Sequence, residues 1–578
     1  MHAFVASIGA AMLVAVAVTP AHAAEKSADA HFVALYTKEW TWRVAQFGNQ
    51  DGKSVDAHLP KVDPATQAMR ETYWEGVMKE LNAIPRDKLS PREQVNYDVY
   101  KPQIAALIAD QKFRTYEMPA NSDSAFWSGF ECDHCRAAKD YQSWISQIGD
   151  IPRYFREQIG EMRAGLARGF TPPQVTLQGR DKSISDIATE KPEDTPFYVP
   201  FKTMSGISPD QQAALRAQAV AVIKDKIQPA YAELLKFWNE TYVPGARKTI
   251  AADDLPDGKA FYQSQILEYT TLDWSPEKIH QIGLDEVAKI HQQMLDAMKE
   301  TGFKGDFPAF LQFLRTDPQF YAKTPQELLD HAAWIAKEFD GVASQYFGLL
   351  PRQRFGIRPV PADIAPFWTS GRGGPGVYFV NTYDLPQRPL YNLPALTLHE
   401  SAPGHAFQMP LAAEDKSLPD FRRYTYISAY GEGWALYCEW LGQEMGIYKT
   451  PYQRFGMLGY QIWRAVRLVV DTGIHSQGWT RQQAIDYMMQ YTALPQHEVE
   501  TEVDRYISWP GQALSYYLGE MAIREARAKA EKALGPKFNI RAFHDTVLQT
   551  GSVPLPVLTA HIDAFIANGG KGPYPDLE

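Results

Sequence analysis

Helix-start signals recur along the chain, and they constrain its fold more strongly than any other feature of the sequence. In a capping box, a Ser or Thr stands three positions before a Glu or Gln, and a proline at the first helical position strengthens the signal. Starts of this kind lie at Ser90, Thr324, Thr450 and Thr480, with simpler Ser-Pro starts at Ser208 and Ser275. The runs that follow place apolar residues at helical spacing. The sequence therefore predicts a mainly α-helical protein.

The best strand signal is "GVYFVNT", residues 376–382, which is rich in β-branched and aromatic residues and follows the glycine cluster "SGRGGPG". It predicts one small β-sheet directly before the motif described next. If this strand lies at the edge of the sheet, it can pair with an extended peptide, and Asn381 would contact that substrate. The alternative is an ordinary strand within the sheet.

The stretch "LTLHESAPGHAFQ", residues 396–408, resembles a zinc-peptidase motif, but its two histidines are six positions apart instead of four. Histidines four apart on a helix differ in direction by about 40°, whereas histidines six apart differ by about 240°. Pro403 and Gly404 favour a break in the helix between them, because proline lacks an N–H group and glycine accepts unusual backbone angles. The sequence therefore predicts that His399 and His405 bind one metal ion.

A catalytic zinc site has a third protein ligand and one open position. Glu432 and Glu439, in "ISAYGEGWALYCEWLGQEMG", are the two candidates, and the glycines beside Glu432 favour it. Glu439 would then accept a hydrogen bond from a ligand histidine. Glu400 points about 100° away from His399 on a helix, which suits the general base that takes a proton from the attacking water. We expect one Zn²⁺ per chain.

Charge and the N-terminal segment bear on the compartment and the partners. The formal net charge of −10 argues against nucleic acid or an anionic membrane as the main partner. Residues 1–23 resemble a signal peptide that is cleaved after the Ala-His-Ala sequence at residues 21–23, although no Lys or Arg precedes the apolar run. An uncleaved anchor is the alternative. No later stretch is long and apolar enough to span a bilayer, so we expect a soluble periplasmic or secreted protein without stable membrane insertion.

The chain has three cysteines, and their chemistry stays open at this stage. Cys132 and Cys135, in "CDHC", fit a local disulfide in an oxidising compartment, a pair of free thiols, or half of a metal site. Cys438 lies in an apolar run and is expected in the core.

Several longer motifs occur along the chain. They are "HESAPGHAFQ", "GEGWALY", "VVDTGIHSQGWTRQQA", "DRYISWPGQALSYYLG", "LPDGKAFYQSQILEYTTLDWSPEKIHQIGLDEV" and "FHDTVLQTGSVPLPVL". Together they resemble one bacterial family, catalogued as domain of unknown function 885. The order of a strand, a His-Glu helix and a downstream glutamate helix also resembles the gluzincin zinc metallopeptidases. The insertion between the histidines is similar to that of dipeptidyl peptidase III, which has one extra residue where this chain has two. The resemblance implies zinc, with His399, His405 and Glu432 as ligands and Glu400 as base.

The resemblance covers most of the mature chain and favours one domain over residues 24–578, with a gluzincin-like fold and a small sheet beside the active-site helix. Within it, two lobes are plausible. A helical lobe would comprise residues 24–245, and a catalytic lobe would comprise residues 246–578.

Further candidates follow the motif along the chain. Arg464, Arg467, Asp471 and His475 recur at three- and four-residue steps and share one helix face. They form either a surface ladder or a row facing the cleft, in which the arginines bind substrate, Asp471 supports the site and His475 stabilises the oxyanion.

The motif "DRYISWPGQALSYYLG" adds three more candidates. Tyr506 and Tyr516 would donate hydrogen bonds to the oxyanion, and Arg505 would bind a substrate carboxylate.

These observations predict an exported zinc metallopeptidase that hydrolyses short peptides with an activated water, as a carboxypeptidase or an oligopeptidase. The choice of short peptides follows the resemblance to helical gluzincins, and the choice of carboxypeptidase follows the arginines after the metal site. The alternatives are a zinc-dependent hydrolase of another amide or ester, and a non-catalytic helical binding protein that retains a metal. Sequence does not define the natural substrate or the oligomeric state.

Overall fold

The computed structural model describes residues 20–48, 55–122, 124–132, 134–362 and 365–575. Residues 1–19 of the predicted signal peptide lie outside the described residues, so the structure does not test that prediction. The described chain is about 70% helical and has one small sheet, which confirms the predicted fold class as mainly α.

The elements are given in chain order, with the sheet near the middle of the chain. Before the sheet come α1 (Pro20–Phe47), α2 (Pro64–Asn82), α3 (Pro91–Phe113), α4 (Ala138–Gly149), α5 (Ile151–Arg168), α6 (Asp181–Thr189), α7 (Val199–Lys202), α8 (Pro209–Val222), α9 (Gln228–Phe237), α10 (Val243–Gly245), α11 (Gly258–Thr270), α12 (Pro276–Glu300), α13 (Phe307–Thr316) and α14 (Pro325–Tyr346). The strands are β1 (Gly356–Pro359), β2 (Gly371–Gly374) and β3 (Val377–Val380). After the sheet come α15 (Leu393–Glu400), α16 (His405–Glu414), α17 (Asp420–Arg423), α18 (Ser428–Leu441), α19 (Pro451–Ser476), α20 (Arg481–Tyr491), α21 (Gln496–Ser508), α22 (Ser515–Leu534), α23 (Ile540–Gln549) and α24 (Leu555–Ala567).

The predicted helix starts are confirmed. In each case the side-chain oxygen of the Ser or Thr accepts a hydrogen bond from the backbone N–H three residues later, which satisfies one of the free donors at the helix end. The capping residues are Ser90, Ser208, Ser275, Thr324, Thr450 and Thr480, for α3, α8, α12, α14, α19 and α20 respectively.

The sheet has the strand order β1-β3-β2, with β3 parallel to β1 and antiparallel to β2. The predicted strand β3 is therefore central and has no free edge. The interpretation of β3 as an edge strand that binds a peptide is wrong, and the alternative of an ordinary sheet strand is correct. The glycine-rich β2 lies at an edge of the sheet.

Buried apolar side chains form two clusters. The larger cluster draws on residues 32–113, on Phe170 and on residues 252–565, and the smaller one is confined to residues 120–246. The smaller cluster ends at Ala246, close to the lobe boundary expected at residue 245. Helices α1 to α3, however, pack into the same core as the second half of the chain, so the cores do not coincide with the expected lobes.

Helices α18 and α22 cross at two glycines. A Cβ atom on Gly433 would lie 2.4 Å from the backbone carbon of Gly519, and one on Gly519 would lie 1.9 Å from the carbonyl oxygen of Ala429. Any side chain at either glycine would force the two backbones apart. This close crossing fixes the position of α18, which carries both candidate glutamates.

Of the three alternatives for Cys132 and Cys135, the structure shows the disulfide. Cys132 and Cys135 form a disulfide with a Cα–Cα distance of 5.5 Å, and Cys438 is buried with a free thiol. Within the part of the chain that the structure describes, no helix combines the length and the apolar character needed to cross a membrane.

Candidate metal centre and its cavity

The two histidines come together because the helix is interrupted between them. Helix α15 ends at Glu400 and α16 begins at His405. In the break, the N–H of Gly404 donates to the carbonyl of Leu398 over 3.0 Å, and the indole N–H of Trp434 donates to the carbonyl of Pro403 over 2.8 Å. The imidazole centroids of His399 and His405 are consequently only 4.9 Å apart.

Both imidazoles point at one carboxylate oxygen. The Nε2 atoms of His399 and His405 each lie 3.4 Å from Oε2 of Glu432. Ligand atoms bound to Zn²⁺ at about 2.0–2.1 Å in a tetrahedral arrangement are separated by about 3.3–3.4 Å. Both imidazole-to-carboxylate distances therefore match the spacing of two ligand atoms on one zinc ion. Two imidazoles with one carboxylate form a ligand set that zinc accepts.

Glu400 is a second carboxylate within reach of the same point. One ligand atom from each of His399, Glu400 and His405 lies within 4.8 Å of the others. Oε2 of Glu400 accepts a hydrogen bond of 2.6 Å from the backbone N–H of Gly373 on β2. The two carboxylates are placed differently: one oxygen of Glu432 is equally close to both imidazoles, whereas Glu400 is held by the strand.

Glu439 lies behind the first histidine. Its Oε1 atom is 2.7 Å from Nδ1 of His399, and the carboxylate is fully buried. A proton on Nδ1 that is shared with this carboxylate leaves the Nε2 lone pair free to face a metal. The structure thus brings Glu439 into contact with a candidate ligand, as the sequence predicts, and gives Glu432 and Glu439 different partners.

The charges around the imidazoles favour a cation. Burial disfavours the charged form of His399, but hydrogen bonds with Glu432 and Glu439 raise its pKa to about 10. Burial would also raise the pKa of Glu432, but the positive charge of His405 and the hydrogen bonds from both imidazoles hold that pKa well below its ordinary value. Three carboxylates around two imidazoles create a negative potential that attracts a divalent metal ion.

The candidate centre opens into a cavity of about 3080 Å³, whose lining residues come from many parts of the chain between Arg43 and Ala564. Among the predicted residues, the cavity lining includes the two histidines, Glu400, Glu432, Tyr516 and the three arginines Arg464, Arg467 and Arg505. Of these, Arg467 donates to Glu502 over 2.9 Å, and the Tyr516 hydroxyl accepts from Arg505 over 3.3 Å. The structure therefore gathers the predicted substrate-binding arginines on one wall of the cavity.

Two other members of the predicted row face away from the cavity. His475 is fully buried, with Nδ1 accepting from the N–H of Ala252 over 3.0 Å and Nε2 lying 2.9 Å from the carbonyl of Tyr506. Asp471 accepts hydrogen bonds from the hydroxyl of Tyr262 and the N–H of Gly511. Neither residue touches a candidate metal ligand, and burial lowers the pKa of His475 to about 3. The predicted roles of His475 at the oxyanion and of Asp471 beside the metal site are therefore corrected.

Tyr506 and Asn381 also have structural roles instead of the predicted ones. The hydroxyl of Tyr506 accepts hydrogen bonds from Trp463 and Arg467 over 3.0 and 2.9 Å, outside the cavity lining. The amide of Asn381 is fully buried, donates to three carbonyls of residues 365–369 and accepts from the N–H of Tyr383. Asn381 therefore shapes the loop before β2 and does not face a substrate.

Tyr426 and Gly373 are site residues that the sequence analysis missed. Tyr426 lies in the cavity beside Glu432, and 42% of its surface is exposed there. Desolvation and the charge of Glu432 raise the pKa of Tyr426 well above its ordinary value, so the hydroxyl stays protonated and can donate. A Cβ on Gly431 would lie 2.2 Å from the Tyr426 ring, so this glycine makes room for the tyrosine rather than for a metal. The glycines of the sequence "GEGWALY", which begins at Gly431, were the sequence signal that a bulky side chain packs close to this helix.

Substitution of Gly404 by alanine is expected to disrupt the break between the histidines. The added Cβ would lie 1.9 Å from the carbonyl oxygen of His399, so the backbone must move, at a cost of about 1–3 kcal/mol in unfolding free energy. Gly459→Ala on α19 is the control, because its Cβ has no neighbour within 4 Å. Denaturant unfolding should show a loss for Gly404→Ala only. Equal stability of the two variants would contradict the tight packing of this break.

The chain is similar to a bacterial protein family and to solved structures. The family model described as "Bacterial protein of unknown function (DUF885)" matches residues 43–562. The crystal structure of a "putative lipoprotein" from Colwellia psychrerythraea has a TM-score of 0.86 and 27% identity, and the match covers 94% of this chain and 100% of that chain. A "putative lipoprotein of unknown function" from Shewanella oneidensis has a TM-score of 0.64 over 93% of this chain and 99% of that chain; at 17% identity it shows the fold alone. No curated protein matches the sequence.

Proposed function

We propose that this chain, which belongs to the bacterial DUF885 family, is an exported zinc-dependent metallopeptidase that hydrolyses short peptides. The observation that carries the proposal is the pair of imidazole Nε2 atoms, each 3.4 Å from the same oxygen of Glu432. Glu400 lies beside this group and Glu439 supports it from behind. The resemblance to gluzincins agrees with the proposal.

The residues suggest how hydrolysis would proceed. When bound by His399, His405 and Glu432, a zinc ion supplies Lewis-acid chemistry and lowers the pKa of water. Glu400 takes the proton of the attacking water and passes it to the leaving amine. The N–H of Gly373 holds the Glu400 carboxylate in one orientation for both transfers. The protonated hydroxyl of Tyr426 donates a hydrogen bond to the oxyanion that develops on the substrate carbonyl.

A covalent thiol mechanism does not fit the cysteines. Cys132 and Cys135 are joined in a disulfide, and burial raises the pKa of the Cys438 thiol well above its ordinary value. A cysteine nucleophile needs an accessible thiolate. Direct attack by water on the substrate is therefore the mechanism that the site favours.

The cavity supports peptides as the substrate class. A volume of about 3080 Å³ exceeds the roughly 300–1,000 Å³ of ordinary small-ligand pockets. A cavity of this size has room for an extended peptide of a few residues but not for a folded domain. Substrate size would thus be limited by access to the cavity.

Two observations support export. The Cys132–Cys135 disulfide is typical of an oxidising compartment. Two proteins of the same fold carry the description "putative lipoprotein". Together with the signal-peptide pattern of residues 1–23, they favour a periplasmic or secreted location.

Metal removal from the purified protein tests the proposal. The protein should contain about one zinc ion per chain and cleave members of a diverse short-peptide library, as read by mass spectrometry. A chelator should abolish cleavage and added Zn²⁺ should restore it, because the nucleophile depends on the metal. Zinc-loaded protein that cleaves no peptide but hydrolyses other amides or esters would support the alternative hydrolase. Zinc-loaded protein without any hydrolysis would support a metal-retaining binding protein.

A further inference from the structure

Arg464 is a buried cation on the cavity wall. It lies on α19, lines the cavity, and its side chain is only 7% exposed. Its guanidinium stacks on the rings of Trp463 and Tyr460, with distances of 4.3 and 4.6 Å to the ring centroids. Stacking holds the planar group in one orientation but does not neutralise its charge.

The charge of Arg464 is poorly balanced. Its nearest carboxylate oxygen, Oε1 of Glu439, is 3.8 Å away and is shared with His399 at 2.7 Å. Its Nε atom has no hydrogen-bond partner among the described residues. The neighbouring Arg467, in contrast, has Glu502 at 2.9 Å. A buried charge without a close partner is costly, and such groups are typical of sites that receive a charged ligand.

A second unbalanced cation, Arg388, lines the same cavity. Its side chain donates to the hydroxyl of Ser370 over 3.4 Å, and its Nε atom has no hydrogen-bond partner within the described ranges. The positive charges of Arg388 and Arg464 both lower the pKa of the Glu498 carboxyl and of the Tyr460 hydroxyl. All four groups therefore lie in one region. Burial raises the pKa of Glu498 to about 7 despite these arginines, so it supplies less than a full negative charge at neutral pH.

A guanidinium with free N–H groups binds a planar carboxylate through paired hydrogen bonds. A peptide in this cavity has one carboxylate that every sequence shares, the one at its C terminus. Resting on the proposed peptidase function, we propose that Arg464 and Arg388 bind the C-terminal carboxylate of the substrate. The protein would then release short fragments from the C-terminal end of peptides.

The position of Arg464 limits the length of the released fragment. Oε1 of Glu439 lies within 3.8 Å of its guanidinium and within 2.7 Å of Nδ1 of His399, so the two side chains are close together. An extended peptide advances by about 3.5 Å per residue. A carboxylate at Arg464 therefore places the bond about one to three residues from the C terminus at the metal centre.

Matched peptides that end in a free acid or in an amide test this inference. For the wild-type protein, kcat/KM should be about 100-fold higher for the acid, as expected for buried charge-assisted hydrogen bonds. Arg464→Met should remove most of that preference by raising KM for the acid, with little change for the amide. Arg388→Met should lower the preference by about 10-fold.

Arg481→Met is the control variant. Arg481 lines the same cavity, but its charge is neutralised by Asp504 over 2.6 and 3.0 Å, so its loss should leave the acid preference intact. Zinc content and melting temperature of each variant show whether the metal centre and the fold survive.

Equal cleavage of acids and amides by the wild-type protein would overturn the inference while leaving the peptidase proposal in place. If Arg464→Met lowers kcat/KM equally for the acid and the amide, Arg464 only positions Glu439 and the inference is overturned. Failure to cleave either peptide would instead count against the proposed function.

Discussion

Glu400→Gln is expected to keep its bound zinc and to lose peptide cleavage by roughly 100- to 10,000-fold in kcat/KM, the range for loss of a general base. The carboxamide has the shape of the carboxylate, and its oxygen can still accept the hydrogen bond from Gly373 that measures 2.6 Å in the native site. It cannot take a proton from water. The three candidate ligands, His399, His405 and Glu432, are untouched by the substitution.

Zinc content and steady-state kinetics on the same peptide are the two measurements. Glu525→Gln is a suitable control, because it makes the same chemical change at an exposed position on α22. Retained activity in Glu400→Gln would show that another group accepts the proton. Loss of zinc together with activity would mean that Glu400 is itself a metal ligand. The geometry permits this, because a carboxylate oxygen of Glu400 lies within 4.8 Å of a nitrogen of each imidazole.

The central part of the site was predictable because its signals are local. Pro403 and Gly404 stand between the histidines in the sequence, and backbone sterics alone predict a break there. Glu432 and Glu439 are seven residues apart, which places them on one face of a helix, two turns from each other. Sequence alone could not assign their roles, and the structure separates them by their contacts with different imidazole nitrogens of His399.

Residues that approach the site from distant parts of the chain were not predictable in this way. Gly373 reaches Glu400 because β2 packs beside α15, and a Cβ at this glycine would lie 1.7 Å from the Glu400 carbonyl oxygen. Arg388 reaches the cavity from the loop after β3, and Tyr426 from the segment before α18. No spacing rule connects these residues to the histidines, since only the tertiary fold brings them together.

The row on α19 shows where helical periodicity is insufficient. Arg464 and Arg467 line the cavity, but Asp471 and His475 lie about 6 and 12 Å farther along the helix axis than Arg467. Periodicity predicts a shared face correctly. It does not predict where along that face the cavity ends, and beyond that point α19 packs against the segment of Ala252 and Tyr262.

Glu432→Ala is expected to lower zinc affinity by more than about 100-fold, beyond the roughly 10- to 100-fold loss that is usual for a residue supporting a ligand. The substitution removes an oxygen that lies 3.4 Å from the Nε2 atoms of both imidazoles. Glu439→Gln should show the smaller loss, because it weakens the contact with Nδ1 of His399 and leaves every ligand in place. Competition with a chromophoric chelator measures both affinities.

Thermal unfolding provides a second readout that does not depend on activity. A metal present at 100 times its dissociation constant stabilises the folded state by about 2.7 kcal/mol, so added zinc should raise the melting temperature of the metal-free wild-type protein. The same zinc concentration should leave Glu432→Ala unchanged, whereas Glu439→Gln should respond at higher zinc. The reverse order, with Glu439→Gln unresponsive and Glu432→Ala stabilised, would move the third ligand from Glu432 to Glu439. A response of both variants equal to that of the wild-type protein would place the bound zinc away from these histidines altogether.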